Sequence, residues 1–137
     1  MAESPYIRWF AELSMADVPQ VGGKTASLGE MVHHLGPLGV RIPDGFAVTA
    51  AAYRDALDAA DAWVPLHRAL DGLDKRDTDA LARAGALARE IVYAAPMPAA
   101  VEAGLRAAWR ALQARVGPGL SVAVRSSATA EDLPDAS

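Results

Sequence analysis

Two short segments of the chain combine a basic side chain with glycine, serine or other small residues. The first is Gly22-Gly23-Lys24, followed by Thr25, and the second is Arg125-Ser126-Ser127, followed by Ala128. Small residues allow backbone N–H groups to approach an anion closely, and a lysine or arginine supplies the positive charge. Although the segments lie far apart in sequence, we predict that they form two walls of one phosphate-binding pocket.

The first segment has the chemistry of an anion site at the start of a helix. A glycine pair before a helix lets free N–H groups and the helix dipole face an anion, and Lys24 can reach a phosphate oxygen. Gly23-Lys24-Thr25 also matches the end of a Walker A loop, but that loop needs a further glycine where this chain has Val18. A P-loop NTPase is therefore rejected, and a tight turn with a solvated Lys24 remains the alternative.

The second segment places an arginine beside two hydroxyl groups. The guanidinium group of Arg125 and the O–H groups of Ser126 and Ser127 are suitable donors to phosphate oxygens. The alternative is a structural role, in which Arg125 pairs with Glu131 or Asp132 and the two serines cap a turn.

Metal-binding and catalytic residues are not predicted from this sequence. The acidic residues between positions 131 and 135 match no metal-binding loop and are interpreted as a solvated loop. The adjacent His33 and His34 point about 100° apart on a helix, so they do not form a metal-ligand pair. His67 has no partner nearby in the sequence, and all three histidines are interpreted as structural or surface residues.

Composition excludes several other classes of protein. The 137 residues include 13 basic and 17 acidic side chains, and the net charge of −4 argues against a nucleic-acid or anionic-membrane surface. Because cysteine is absent, disulfides and thiolate chemistry are excluded. We find neither a signal peptide nor an apolar run of about 18 residues, which a membrane span needs. A cytoplasmic protein without nucleic-acid or membrane partners is expected.

The first half of the chain is predicted to contain a loop, a helix and two short strands. Residues 14–21 have loop composition, and a helix begins near Thr25 and ends at Gly36-Pro37. The apolar face of this helix is predicted to comprise Leu28, Met31, Val32 and Leu35. Residues 40–42 and 46–48 are predicted strands on either side of a turn.

The second half is predicted to be mainly helical. One helix follows Thr49 and extends to about Asp61, a second is capped by Asp77 or Thr78, and a third begins near Pro98. The predicted inner side chains are Leu81, Leu87, Ile91 and Val92 in the second helix and Val101, Leu105, Ala108, Leu112 and Val116 in the third. Residues 120–125 are predicted to form a strand. The fold class is therefore α+β, helix-rich with a few short strands.

Three ordered motifs resemble the phosphoenolpyruvate synthase (pyruvate, water dikinase) family. The run from Ser14 to Met31 is similar to the opening of that family, and residues 39–49 follow the same pattern. Residues 123–137 are similar to its arginine–serine–serine motif and the acidic loop after it. The resemblance extends from about Arg8 to Ser137, and Thr25 stands where the family pattern has asparagine or glycine.

The resemblance implies that residues 1–137 are the first part of an ATP-grasp nucleotide-binding domain. The family uses ATP, Mg²⁺ and water to convert pyruvate into phosphoenolpyruvate, with a phosphohistidine on a separate domain as the carrier. Carried over to this chain, the resemblance makes Lys24 and Arg125 the contacts to the ATP phosphates. It makes Ser126 and Ser127 supporting neighbours at the same cofactor-binding site.

The resemblance also implies that the chain is a fragment that does not complete the reaction alone. The family's phosphorylated histidine, magnesium ligands and pyruvate site lie beyond residue 137, so the remaining domains of the same enzyme are the expected partners. An open sheet edge is then expected around residues 120–125. Alternatives are the nucleotide domain of rifampin phosphotransferase or of pyruvate phosphate dikinase, or a small helical interaction module without nucleotide chemistry.

Overall fold

The computed structural model describes residues 4–130, which are mainly helical. This part of the chain has a two-stranded sheet made of β1 (Ile7–Trp9) and β2 (Phe46–Val48). Its α-helices are α1 (Val18–Val21), α2 (Gly23–Leu35), α3 (Ala50–Ala59), α4 (Trp63–Leu70), α5 (Thr78–Ala94) and α6 (Ala99–Val116). Short 3₁₀ helices occur at Phe10–Glu12, Met15–Asp17 and Gly36–Leu38. These elements confirm the predicted helix-rich α+β class.

The chain is divided into two compact units. Unit 2 is Tyr53–Ala99, and unit 1 comprises the described residues up to Ala52 and those from Ala100 onward. None of the helices described between residues 4 and 130 is both long and apolar enough to span a bilayer.

In unit 1, the sheet pairs a strand near the start of the segment up to Ala52 with a strand near the end of that segment, and the core lies beside the sheet. β1 and β2 are antiparallel, with Trp9 opposite Phe46 and Ile7 opposite Val48. Leu13 is completely buried beside this sheet. The other members of the core cluster are Val21, Ala26 and Ala47, with Phe10 and Val18 packed against them.

The prediction that residues 14–21 form a loop is wrong, because this segment folds into a 3₁₀ helix and α1. Ser14 caps the 3₁₀ helix by accepting the N–H of Ala16 at 3.3 Å, while the Asp17 carboxylate accepts the N–H of Ser14 at 2.9 Å. This reciprocal pair is a capping box, and Pro19 is tolerated in the first turn of α1. The polar residues interpreted as loop formers are therefore helix-starting residues.

The position of α2 is confirmed within two residues, but its predicted apolar face is not the most buried one: Leu28, Val32 and Leu35 are only half-buried. The buried residues are Gly23, Thr25, Ala26 and Gly29, whereas Met31 is 40% exposed. The main chain of Leu13 lies so close to Gly29 that a side chain there would overlap it. Helix α2 thus packs through its small residues, which allow a neighbouring backbone to approach closely.

Two of the three predicted strands are wrong. Residues 40–42 and residues 120–125 belong to no strand, and only residues 46–48 are confirmed. A strand is stable only where another strand pairs with its N–H and C=O groups, and β2 finds that partner in β1 rather than in residues 40–42. Since residues 120–125 are not a strand, the expected open sheet edge around them is wrong too.

Unit 2 is built mainly from α4 and α5. Its core cluster consists of Leu57, Ala62 and Leu66, against which Ala60, Ala88, Ile91, Val92 and Ala95 pack. Asp77 caps α5 as predicted, because its carboxylate accepts the N–H of Ala80 at 2.9 Å. Ile91 and Val92 face inward as predicted, whereas Leu81 and Leu87 are 36% and 48% exposed, so that part of the prediction is wrong.

The prediction for α6 is confirmed at its centre. Val101, Ala108 and Leu112 are buried, and the helix begins one residue after Pro98. Val116 is 56% exposed, because the helix ends there and Gly117, with φ of 105°, turns the chain away. The predicted helix after Thr49 is confirmed as α3, and the Thr49 hydroxyl donates to the carbonyl oxygen of Pro5 at 3.1 Å.

Candidate phosphate-binding site

Gly22 forms the junction between α1 and α2. Its N–H donates to the carbonyl oxygen of Val18 at 2.8 Å, and its own carbonyl accepts the N–H of Ala26 at 3.0 Å. Its φ of 79° and ψ of 161° lie in a region that essentially only glycine adopts. The chain therefore changes direction sharply at Gly22, and α2 begins at once with Gly23 and Lys24.

The second predicted segment lies directly against this junction. The Ser127 hydroxyl donates to the carbonyl oxygen of Val21 at 2.8 Å. A Cβ atom added to Gly22 would overlap the Ser127 Oγ and would lie 2.7 Å from the carbonyl oxygen of Ala128. The structure thus brings the Gly22-Gly23-Lys24 segment and the Arg125-Ser126-Ser127 segment into contact.

The predicted site residues occupy different positions around this contact. Lys24 is partly buried in the first turn of α2, and Arg125 and Ser126 are exposed immediately before Ser127. The proposed phosphate contacts of these four residues stay predictions. The acidic loop that begins at Glu131, and its alternative pairing with Arg125, lie outside the described residues.

Arg8 is a supporting residue that the sequence reasoning missed. From β1 it donates to the Oε1 atom of Gln20 at 3.0 Å and to the carbonyl oxygen of Glu12 at 3.4 Å, and it lies 3.5 Å from the Asp17 carboxylate. These contacts fix the 3₁₀ segments and α1 relative to the sheet. They cross several elements, so local spacing gives no signal for them.

Glu30 is a second supporting residue that was missed. Its Oε1 accepts the N–H of Met15 at 2.9 Å, and its Oε2 lies 3.0 Å from the Nε2 atom of His34. The hydrogen bond from Met15 lowers the pKa of Glu30 most, and His34 lowers it further against the opposing effect of desolvation. The ionised Glu30 thus holds the 3₁₀ helix Met15–Asp17 against α2. Of these contacts, only the i,i+4 spacing between Glu30 and His34 could be recognised in the sequence.

Unit 2 contains a separate groove whose chemistry does not match phosphate. Its volume is about 600 Å³, and apolar and aromatic side chains such as Trp63, Leu66 and Tyr93 dominate its lining. The charged residues there include Asp71, which pairs with His67 at 3.3 Å. None of the four predicted site residues lines this groove. Across residues 4–130, no group of three or more histidine, aspartate or glutamate side chains could hold a metal ion.

Comparisons with known proteins identify relatives of this chain. The model of the family "Pyruvate phosphate dikinase, AMP/ATP-binding domain" matches residues 18–137. A phosphoenolpyruvate synthase of Pseudomonas aeruginosa is 51% identical over 132 residues, which are 96% of this chain and 17% of that protein. The phosphoenolpyruvate synthases of Neisseria meningitidis and Escherichia coli are 50% and 45% identical, over 96% and 98% of this chain and 17% of each relative.

The chain spans about 17% of the length of these curated relatives. The family match covers most of the chain, including Lys24 and the whole Arg125-Ser126-Ser127 segment. The chain therefore belongs to the pyruvate phosphate dikinase AMP/ATP-binding domain family.

Proposed function

We propose that this chain is the ATP-binding portion of a phosphoenolpyruvate synthase, which phosphorylates pyruvate with ATP and water. The single observation that carries the proposal is the contact between Ser127 and Val21, because it attaches the Arg125 segment to the junction from which α2 begins. That arrangement suits a triphosphate, since two cations from distant parts of the sequence are attached to one junction. The family match and the names of the relatives support the same assignment.

In this proposal Lys24 and Arg125 neutralise the phosphate groups of ATP. Phosphoryl transfer depends mainly on positioning and charge neutralisation, which cations and N–H groups held by a rigid framework supply. The first turn of α2 adds N–H groups that lack an intrahelical acceptor, and Ser126 and Ser127 are neighbours of the same site. No catalytic residue is assigned to this chain.

Other parts of the proposal concern the remainder of a longer protein. We assign the chain to an ATP-grasp domain of which it is the first part, with pyruvate and the remaining domains as partners in the cytoplasm. Mg²⁺ would neutralise charge on the phosphate oxygens when bound. As the resemblance to the synthase family implies, its carboxylate ligands are assigned to parts of the protein beyond residue 137.

Pyruvate phosphate dikinase is a second candidate, because the matching family model carries that name. Rifampin phosphotransferase remains a third, since only the acceptor domain would separate these activities. The relatives that are phosphoenolpyruvate synthases favour the first candidate. A helical module without nucleotide chemistry is disfavoured, because the two basic segments are in contact.

The proposal is tested by titrating Mg·ATP into the 137-residue chain and following binding by calorimetry. Lys24→Ala and Arg125→Ala should each weaken ATP binding by about tenfold or more, because each removes a charge-assisted hydrogen bond. Lys75→Ala and Arg110→Ala are matched controls, since both residues lie outside the two segments. Equal affinities in all five proteins would overturn the assignment of Lys24 and Arg125.

A further inference from the structure

The Ser127 hydroxyl is already engaged as a donor. A serine hydroxyl carries one proton, and this proton is directed to the carbonyl oxygen of Val21 at 2.8 Å. Phosphate oxygens are acceptors, so they require a donor. In this geometry Ser127 therefore has no proton to offer to a phosphate group.

The acceptor of this hydrogen bond is a carbonyl at the end of a helix. Val21 is the last residue of α1 and is only 5% exposed, and terminal helix carbonyls lack the intrahelical donor that interior carbonyls have. Removing the Ser127 hydroxyl would leave this partly enclosed oxygen without that donor, which is unfavourable. The bond therefore has a structural reason to persist when a ligand binds.

Gly22 fits the other side of the same contact. Its lack of a side chain leaves the space in which Ser127 and Ala128 lie, with the Ala128 carbonyl oxygen 2.7 Å from the position that a Cβ would take. Ser127, Val21 and Gly22 are called the serine latch below. Through this latch the segment that follows α6 is attached to the junction between α1 and α2.

We propose that Ser127 is a positioning residue, whose hydroxyl holds Arg125 beside the start of α2 without itself donating to the nucleotide phosphates. The inference rests on the proposed function for its ligand, ATP. Arg125 lies two residues before Ser127, so fixing Ser127 limits the volume that the guanidinium group can explore. Arg125 then acts together with Lys24 on one ligand.

The first test uses the full 137-residue chain without nucleotide. Amide ¹⁵N relaxation should show that Ser127→Ala increases the mobility of Arg125 and shifts the signals of Val21 and Gly22. Ser127→Thr retains a hydroxyl and should restore the rigidity at least in part. Thr129→Ala, which removes a hydroxyl from the same segment, is the matched control and should leave Arg125 as it is. Unchanged relaxation in Ser127→Ala would overturn the latch.

The second test measures Mg·ATP affinity in a double-mutant cycle of Ser127→Ala and Arg125→Ala. Ser127→Ala alone should weaken binding by about 3- to 10-fold, the range expected for one hydrogen bond. In the Arg125→Ala background it should have almost no effect, because a positioning residue acts through the group that it positions. Additive losses would mean that Ser127 contacts ATP directly, which overturns the inference.

The two tests separate failure of this inference from failure of the proposed function. If the unaltered chain does not bind Mg·ATP at millimolar concentration, the ATP assignment of this chain fails. The nucleotide-free relaxation data then still decide whether Ser127 holds Arg125 in place. A fall in melting temperature with unchanged relaxation and unchanged ATP affinity would reduce Ser127 to a purely structural residue.

Discussion

The guanidinium carbon of Arg115 lies 3.9 Å from the centre of the Trp9 ring. The same guanidinium group donates to the Asp44 carboxylate at 3.3 Å, and the Trp9 ring packs edge-on against Phe46 with centroids 5.3 Å apart. A cation over an indole face is stabilising, and the contact joins the last turn of α6 to the sheet. The contact between Arg115 and Trp9 thereby holds in place the end of α6, from which the chain continues towards Arg125.

Arg115→Ala should lower the free energy of unfolding by about 1 kcal/mol, since an exposed cation–π contact and a surface ion pair each contribute up to about that amount. Arg115→Lys should recover only part of the loss, because an ammonium group lacks the planar guanidinium that stacks on the ring. Arg110→Ala, a position on the same helix, serves as the control in urea unfolding. Equal losses at the two positions would contradict the role of Trp9.

Glu30 predicts a dependence of stability on pH. The hydrogen bond from Met15 and the nearby His34 hold the pKa of Glu30 below its ordinary value of 4.5. The unfolded chain therefore binds more protons at this group, and stability increases with pH in that range. The contribution of ionised Glu30 is complete above the ordinary value and is lost as the pH falls through the lower pKa of the folded state.

The measurement for Glu30 is the melting temperature as a function of pH in the unaltered chain and in Glu30→Gln. The glutamine amide of this variant would accept the Met15 N–H but carries no charge, so the variant should lose less stability on acidification. The difference between the two curves should be largest at neutral pH and should shrink as acid protonates Glu30. Parallel curves would show that the charge of Glu30 does not stabilise the fold.

The sequence predicted the elements whose signals are local. Helix α2 was placed within two residues because a glycine pair precedes it and Gly36-Pro37 follows it, and α5 was placed by its Asp77 cap. Residues 46–48 were predicted as a strand from their own composition. Local chemistry also indicated the two basic segments that the structure brings into contact.

Features that depend on distant parts of the chain were predicted poorly. The most buried face of α2 was missed because the backbone of Leu13, rather than large side chains of α2, determines which residues are covered most completely. Residues 120–125 have strand composition, but a strand also needs a partner. The contacts of Arg8 and the bond between Glu30 and Met15 likewise join residues whose proximity only the folded chain reveals.

Asp77 provides a prediction for unit 2. Asp77→Ala should lower the stability of α5 by about 1 kcal/mol, because the N–H of Ala80 loses the acceptor that now lies at 2.9 Å. Asp77→Asn is the matched control, since asparagine caps helix N-termini about equally well. Urea unfolding followed by the helical circular dichroism signal measures both variants. A similar loss in the two proteins would indicate that charge, rather than capping, is responsible.

Gly22→Ala should be the more damaging of two matched glycine substitutions in unit 1. Gly22 has φ of 79° and no room for a Cβ, whereas Gly39 has φ of 86° and no atom within 4 Å of a Cβ. Gly39→Ala should therefore lower the free energy of unfolding only by the cost of left-handed backbone strain, about 1 kcal/mol, and should leave the serine latch unchanged.

In Gly22→Ala, the alanine must adopt a backbone conformation that essentially only glycine adopts, and its Cβ overlaps Ser127 and Ala128. The free energy of unfolding should therefore fall by about 3 kcal/mol. Because the added methyl group displaces Ser127, the mobility of the Arg125 amide should also increase, as it should in Ser127→Ala. Urea unfolding and ¹⁵N relaxation measure the two effects separately. If Gly22→Ala and Gly39→Ala cost the same and Arg125 stays rigid, the segment after α6 does not depend on the space at Gly22.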